Sequence, residues 1–161
     1  ALTGANTSTS SCALPIYYAV AGATKKILVD ELRIALLGNT KLTNSLATDV
    51  NLNNTSNYFT GPTVSQGTTG TWFATGTVVV EDTGSAASIS VKLWDGTTVI
   101  ASARITTSGV VDAPVSLSGF ITSPAGDIRI SAKDATSVNG LIRANRSGES
   151  KDSTLSVVRI G

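Results

Sequence analysis

The stretch Ala87–Ile105, ASISVKLWDGTTVIASARI, decides the fold. Ala87, Ile89, Val91 and Leu93 alternate with Ser88, Ser90 and Lys92, the period-two pattern of a strand with one buried face. Asp95-Gly96 then favours a tight turn, because glycine accepts positive φ without steric cost. On the return, Val99, Ala101, Ala103 and Ile105 share one parity, and Ile100, Ser102 and Arg104 the other. A loop of Trp94-Asp95-Gly96 sets Val91 opposite Val99 and Ile89 opposite Ala101. A loop of Asp95-Gly96 alone pairs Val91 with Ile100 and sends the two apolar sets to opposite faces. Register follows the buried face, so the odd loop is expected, with Gly96 as the left-handed residue of a G1 bulge.

The same grammar runs outward from this hairpin. Strands are predicted over 46–53, 57–60, 71–80, 87–94, 98–106, 113–121, 126–133, 139–144 and 153–160. Turn signals separate them: Gly61-Pro62, Asp82-Thr83-Gly84, Asp95-Gly96, Ser108-Gly109, Ser123-Pro124-Ala125-Gly126, Asn139-Gly140 and Ser147-Gly148. Short strands at this spacing imply a sandwich or barrel, and a span of roughly 115 residues suits a jelly roll. An immunoglobulin sandwich fits less well, because the paired cysteines around a core Trp are missing. Leu155, Val157 and Ile160 call for burial of the last strand inside a sheet.

Upstream, the composition changes. Residues 1–13 are small and polar, and ALPIYYAVAGATKKILVDELRIALLGN follows. Ile16–Val20 and Lys26–Val29 are candidate short strands. Asp30 caps a candidate helical turn carrying Leu32, Ala35 and Leu36, with Gly38 past its end. Leu14, Ile16, Val20, Ile27, Leu32 and Leu36 are too few and too broken for a core of their own. Residues 1–40 are therefore read as an arm that packs on another chain, and 41–161 as the β-sandwich. The beginning at Ala1 is compatible with loss of an initiator Met or of a preceding signal. ALTGANTSTSS itself lacks the basic and apolar regions of a signal peptide.

Charged residues make up 14% of the 161-residue chain, and the net charge is +1. This balance argues against nucleic acid as a partner, and no apolar run of about 18 residues provides a membrane helix. Cys12 is the only cysteine, so no intrachain disulfide forms. It reads as a small packing residue, with an interchain bridge as the sharper alternative. Histidine is absent, which removes Ser-His-Asp and Cys-His nucleophiles and the commonest zinc ligand. Glu81-Asp82 is an adjacent carboxylate pair of the kind a glycosidase could use. Strand neighbours point to opposite faces, so the pair reads as a solvated turn instead. Asp127 and Asp134 are too isolated for a calcium loop. Asn6, Asn53, Asn54 and Asn145 sit in glycosylation triplets that a Ser/Thr-rich chain produces by chance. Trp72, Phe73, Trp94 and Phe120 read as core or rim packing, with subunit contact or ligand stacking as alternatives. No enzyme, cofactor or metal site is expected.

Two stretches carry a resemblance. ALPIYYAVAGATKKILVDELRIAL is similar to N-terminal attachment segments in fibre and head-associated proteins of tailed bacteriophages. WFATGTVVVEDTGSAASISVKLWDGTTVIASARI, with PAGDIRISAKDAT and STLSVVRIG, resembles the jelly-roll domains of phage fibre, spike and decoration proteins. These commonly form trimers, like the tumour-necrosis-factor and C1q folds. The resemblance implies a non-enzymatic virion protein, trimeric through its sandwich and in contact with other capsid or tail proteins. It also implies an anchoring arm, for which Leu14, Pro15, Ile16, Tyr17, Tyr18, Ile27, Leu32 and Leu36 are the candidate contacts. A receptor- or carbohydrate-binding β-sandwich is the alternative.

Overall fold

A computed structural model describes residues 13–15, 26–28 and 40–161. The chain divides into two compact units, Ala1–Asn39 and Thr40–Gly161. In the first, β1 (Ala13–Pro15) pairs antiparallel with β2 (Lys26–Leu28), placing Leu14 opposite Ile27 and Pro15 opposite Lys26. The predicted strand over Ile16–Val20 and the helical turn over Asp30–Leu36 lie outside the described residues.

The second unit is an all-β jelly-roll sandwich of antiparallel sheets, with no helix among the described residues. Its strands are β3 (Lys41–Ser45), β4 (Val50–Leu52), β5 (Phe59–Val64), β6 (Thr71–Asp82), β7 (Ser88–Trp94), β8 (Val99–Thr106), β9 (Ala113–Thr122), β10 (Ile128–Asp134), β11 (Gly140–Arg143) and β12 (Thr154–Arg159). One sheet is four-stranded, in the order β5-β10-β7-β8. The other is six-stranded and built on the long β6. β9 lies along one edge of β6, and β12 and β11 share the other edge end to end. β3 then flanks β12, and β4 flanks β11.

Alternation fills the core from both sheets. Ile89, Val91 and Leu93 of β7 and Ile128, Ile130 and Ala132 of β10 face inward against Val78, Val80, Ile142, Leu155 and Val157. Leu155 and Val157 are fully buried because β12 is an interior strand between β3 and β6. Ile160 is exposed, contrary to expectation, since it has the opposite parity to Leu155 and Val157. Gly76 faces inward where a Cβ would come 2.6 Å from the Thr154 carbonyl and 2.8 Å from Ile130 Cδ1, so the sheets approach there at glycine distance.

The hairpin keeps its odd parity but not its register. Val91 pairs with Ala103 and Ile89 with Ile105, not with Val99 and Ala101. The turn spans Asp95–Thr98, longer than expected, because the Asp95 carboxylate accepts the amides of Thr97 at 2.9 Å and Thr98 at 2.6 Å. Gly96 has φ +96, the left-handed conformation predicted for it. The register shift sits elsewhere: Leu93 pairs with Ala101 and Trp94 with Val99, leaving Ile100 as the extra residue. That shift moves Val99 to the outer face beside Trp94 and packs Ile100 against Gly119.

The predicted strand 46–53 is also redrawn. Strand pairing covers Lys41–Ser45 and Val50–Leu52, with a turn between them. Leu46 still donates its amide to the Ser153 carbonyl, but the chain bends at Ala47-Thr48 and Asp49 turns to meet Arg143, so pairing with β12 ends there.

Candidate functional site

Outer-face residues of the six-stranded sheet form three cross-strand rows. Phe120, Phe73, Val158 and Lys41 make one; Ser118, Thr75, Ser156 and Thr43 the next; Ser116, Thr77, Thr154 and Ser45 the third. Phe73 and Phe120 pack with ring centroids 4.9 Å apart, and Phe120 is 65% exposed. Six of the hydroxyls pair with one another: Thr43 with Ser156 at 2.9 Å, Ser45 with Thr154 at 2.8 Å, Thr77 with Ser116 at 2.8 Å. The face is therefore low in bulk, with Lys41 at its edge and the Lys151 ammonium donating to the Ser45 hydroxyl at 3.3 Å. Covering it with another protein surface strands few polar groups, so the desolvation cost is small.

Trp72 belongs to the core, its indole N–H donating to the Thr69 carbonyl at 2.9 Å. Trp94 is the last residue of β7. It lies on the outer face of the four-stranded sheet and donates to the Ser131 hydroxyl at 2.9 Å.

Glu81 and Asp82 point to opposite faces as expected, but neither is solvated. They are 1% and 0% exposed, because pairing with β11 carries β6 through to Asp82. Glu81 faces outward onto Arg143, whose Nε lies 2.6 Å from Glu81 Oε2, and Arg143 also reaches Asp49 at 2.6 Å. Burial alone would lower the Arg143 pKa, yet hydrogen bonds to Asp49 and Glu81 raise it above the usual guanidinium value. Asp82 faces inward at one end of the sandwich, near Asp134 of β10. One Ser137 hydroxyl sits 2.5 Å from Asp82 and 3.2 Å from Asp134. Asp134 holds the Thr136 and Ser137 amides. Sequence reading left Asp134 isolated because its partner is 52 positions away; only parity, inward for both, hinted at the meeting.

Burial would raise the Asp82 pKa, but the Ser137 hydroxyl and the amides of Ser85 and Gly84 lower it from 3.8 to about 2. A folded pKa below the unfolded one gives stability that is complete above about pH 4 and lost as pH falls through about 2. The expected contribution is on the order of 2 kcal/mol. Acid unfolding followed by circular dichroism should show wild type losing more stability between these pH values than Asp82→Asn. Parallel curves would refute this role for Asp82. A polar cleft of about 250 Å³ adjoins this end, lined by Asn51, Asn53, Thr83, Asn139 and Leu141. Among the described residues, no cluster of three or more His, Cys, Asp or Glu is placed to hold a metal ion.

Of the candidate arm contacts, β1 and β2 bring Leu14, Pro15 and Ile27 into one ribbon. Ile16, Tyr17, Tyr18, Leu32 and Leu36 lie outside the described residues.

No protein-family profile matches the chain, and no curated relative matches it. Solved structures do. Eiger TNF from S. frugiperda aligns at TM-score 0.50 and 8% identity, covering 76% of this chain and 93% of that one. The C-terminal CBM6 of the laminarinase LamC from Zobellia galactanivorans aligns at TM-score 0.39 and 11% identity, covering 74% of this chain and 100% of that one. The infectious bursal disease virus VP2 subviral particle aligns at TM-score 0.39 and 12% identity, covering 94% of this chain and 38% of that one. At these identities the likeness concerns the fold, and the TNF alignment supports a jelly-roll sandwich.

Proposed function

We propose that the protein is a non-enzymatic structural component of a bacteriophage virion, a head fibre, decoration or tail-fibre-type protein. It trimerises through its sandwich and is anchored by residues 1–40. The observation that carries this reading is the outer face of the six-stranded sheet. The exposed Phe120, packed on the half-buried Phe73, stands beside three hydroxyl pairs, with little bulk and only Lys41 and Lys151 as charges. Such a surface can be covered without stranding charges, and an exposed apolar group rimmed by polar residues marks a protein contact. Closed cyclic symmetry would give each subunit one copy of this contact and stop growth. Three arms would then dock together and gain avidity from one another. The phage setting and the threefold order rest on the sequence resemblance, and the TNF-like fold is consistent with them.

Electron microscopy of the native particle tests this reading. It predicts threefold density for the sandwich, with six-stranded sheets turned to the axis and residues 1–40 in contact with another virion protein. Single, unpaired copies on the particle, or absence of the chain from it, would overturn it.

A further inference from the structure

The outer face of the four-stranded sheet has a different chemistry. Its cross-strand rows are Tyr58 near Lys133, then Ser90 and Arg104; Thr60, Ser131, Lys92 and Ser102; and Thr63, Arg129, Trp94 and Val99. The Lys92 ammonium lies 3.2 Å from the Trp94 ring centroid and 4.2 Å from that of Tyr58. Lys133 stands 5.2 Å from the Tyr58 ring centroid, and the Arg129 guanidinium 5.6 Å from that of Trp94. Cations and rings thus alternate along β10 and β7, over about 13 Å from Arg129 to Lys133 at the rise of a strand.

These cations have no carboxylate partner among the described residues, where the ion pairs belong to Arg143 and Arg146. Asp127, at the end of the row, gives Arg129 only its carbonyl oxygen. Asp95 and Asp134 are turned inward and hold backbone amides. The rings offset part of the charge. They do not neutralise it: burial and the repulsion of Lys133 and Arg129 hold the Lys92 pKa below its ordinary value.

We propose that this face binds an acidic polysaccharide, with anionic groups of the sugar chain seated on Arg129, Lys92 and Lys133. Ser90, Ser102 and Thr60 lie between the cations and supply hydrogen bonds to sugar hydroxyls. The shallow, extended plate suits a linear chain lying along the strands. Single-stranded nucleic acid fits less well, because it binds by stacking bases on free aromatic faces. Here Lys92 occupies a face of both rings. A protein partner fits less well because its anchor residues favour apolar contacts, and the rows of this face carry Lys133, Lys92, Arg129 and Arg104 among hydroxyls. The site does not depend on the proposed trimer, although a trimer that hides its six-stranded sheets would present this face outward in several copies.

The test is calorimetric titration of the full chain with heparin fragments, polygalacturonate, neutral dextran and an oligothymidylate. Binding to at least one acidic polysaccharide is expected, weakening as salt rises, with no binding to dextran. Lys92→Gln with Lys133→Gln should weaken it by at least about tenfold. Arg104→Gln, on the exposed edge strand, should weaken it less and keeps the test valid if the double variant misfolds. Lys151→Gln, away from this face, should leave affinity unchanged. The proposal is overturned if no acidic polysaccharide binds, if dextran binds as well, or if oligothymidylate binds more tightly. It is equally overturned if folded variants bind like wild type. A drop in oligomer mass in the double variant would instead make this face a subunit contact and also refute the proposal.

Discussion

Val91→Asp is expected to abolish cooperative folding, while Val99→Asp is expected to leave stability almost unchanged. Val91 is 1% exposed, between Ala103 of β8 and Ala132 of β10, with its side chain in the core. A carboxylate there has no cation or donor and must be buried charged or protonated against its preference. The cost is several kcal/mol, about 3–5, comparable with the whole stability of a small domain. Val99 is 51% exposed and pairs with Trp94 on the outer face. An aspartate there stays in water, and the effect should be within about 0.5 kcal/mol. Urea unfolding of both variants decides the matter. If the hairpin had the register with Val91 opposite Val99 on one inward face, both variants would collapse together.

The second large effect concerns the ion group behind β6. Arg143→Leu removes the cation that faces both Glu81 and Asp49. Glu81 is 1% exposed and would be left buried without its partner. Breaking such a pair from one side costs about 3–5 kcal/mol. Removing both charges with Glu81→Leu and Arg143→Leu should recover most of that loss, since the penalty comes from the orphaned carboxylate. Denaturant midpoints of the two variants check this. A single variant as stable as wild type, or a double variant worse than the single, would contradict the account.

These effects mark where the sequence was legible. The alternation in ASISVKLWDGTTVIASARI identified both strands and the inward set Ile89, Val91 and Leu93. Parity is a local property, and burial enforces it residue by residue. The Ile100 bulge was not legible, because it depends on Ile100 filling the space above Gly119, a neighbour in the other sheet. β3 was missed because KLTNS has one apolar residue, as edge strands often do. Glu81 and Asp82 were misread as a solvated turn, since nothing local announces that β11 extends β6 to its last residue. The outer faces were half legible. Phe73 and Phe120 stood out as aromatics, and Lys92 with Trp94 shared an outward parity. Their assembly into rows needed the β6–β9 and β7–β10 pairings, which join segments tens of residues apart and leave no local trace.

In the proposed trimer, the outer face of the six-stranded sheet joins the subunits. The most direct test is the native mass of the isolated chain beside that of Phe120→Asp. Wild type should sediment at three times the 16.4 kDa chain mass. Phe120→Asp, altering a residue 65% exposed, should keep its fold and fall to a single chain. A wild-type monomer or dimer at all concentrations, or an intact trimer in the variant, would contradict the account.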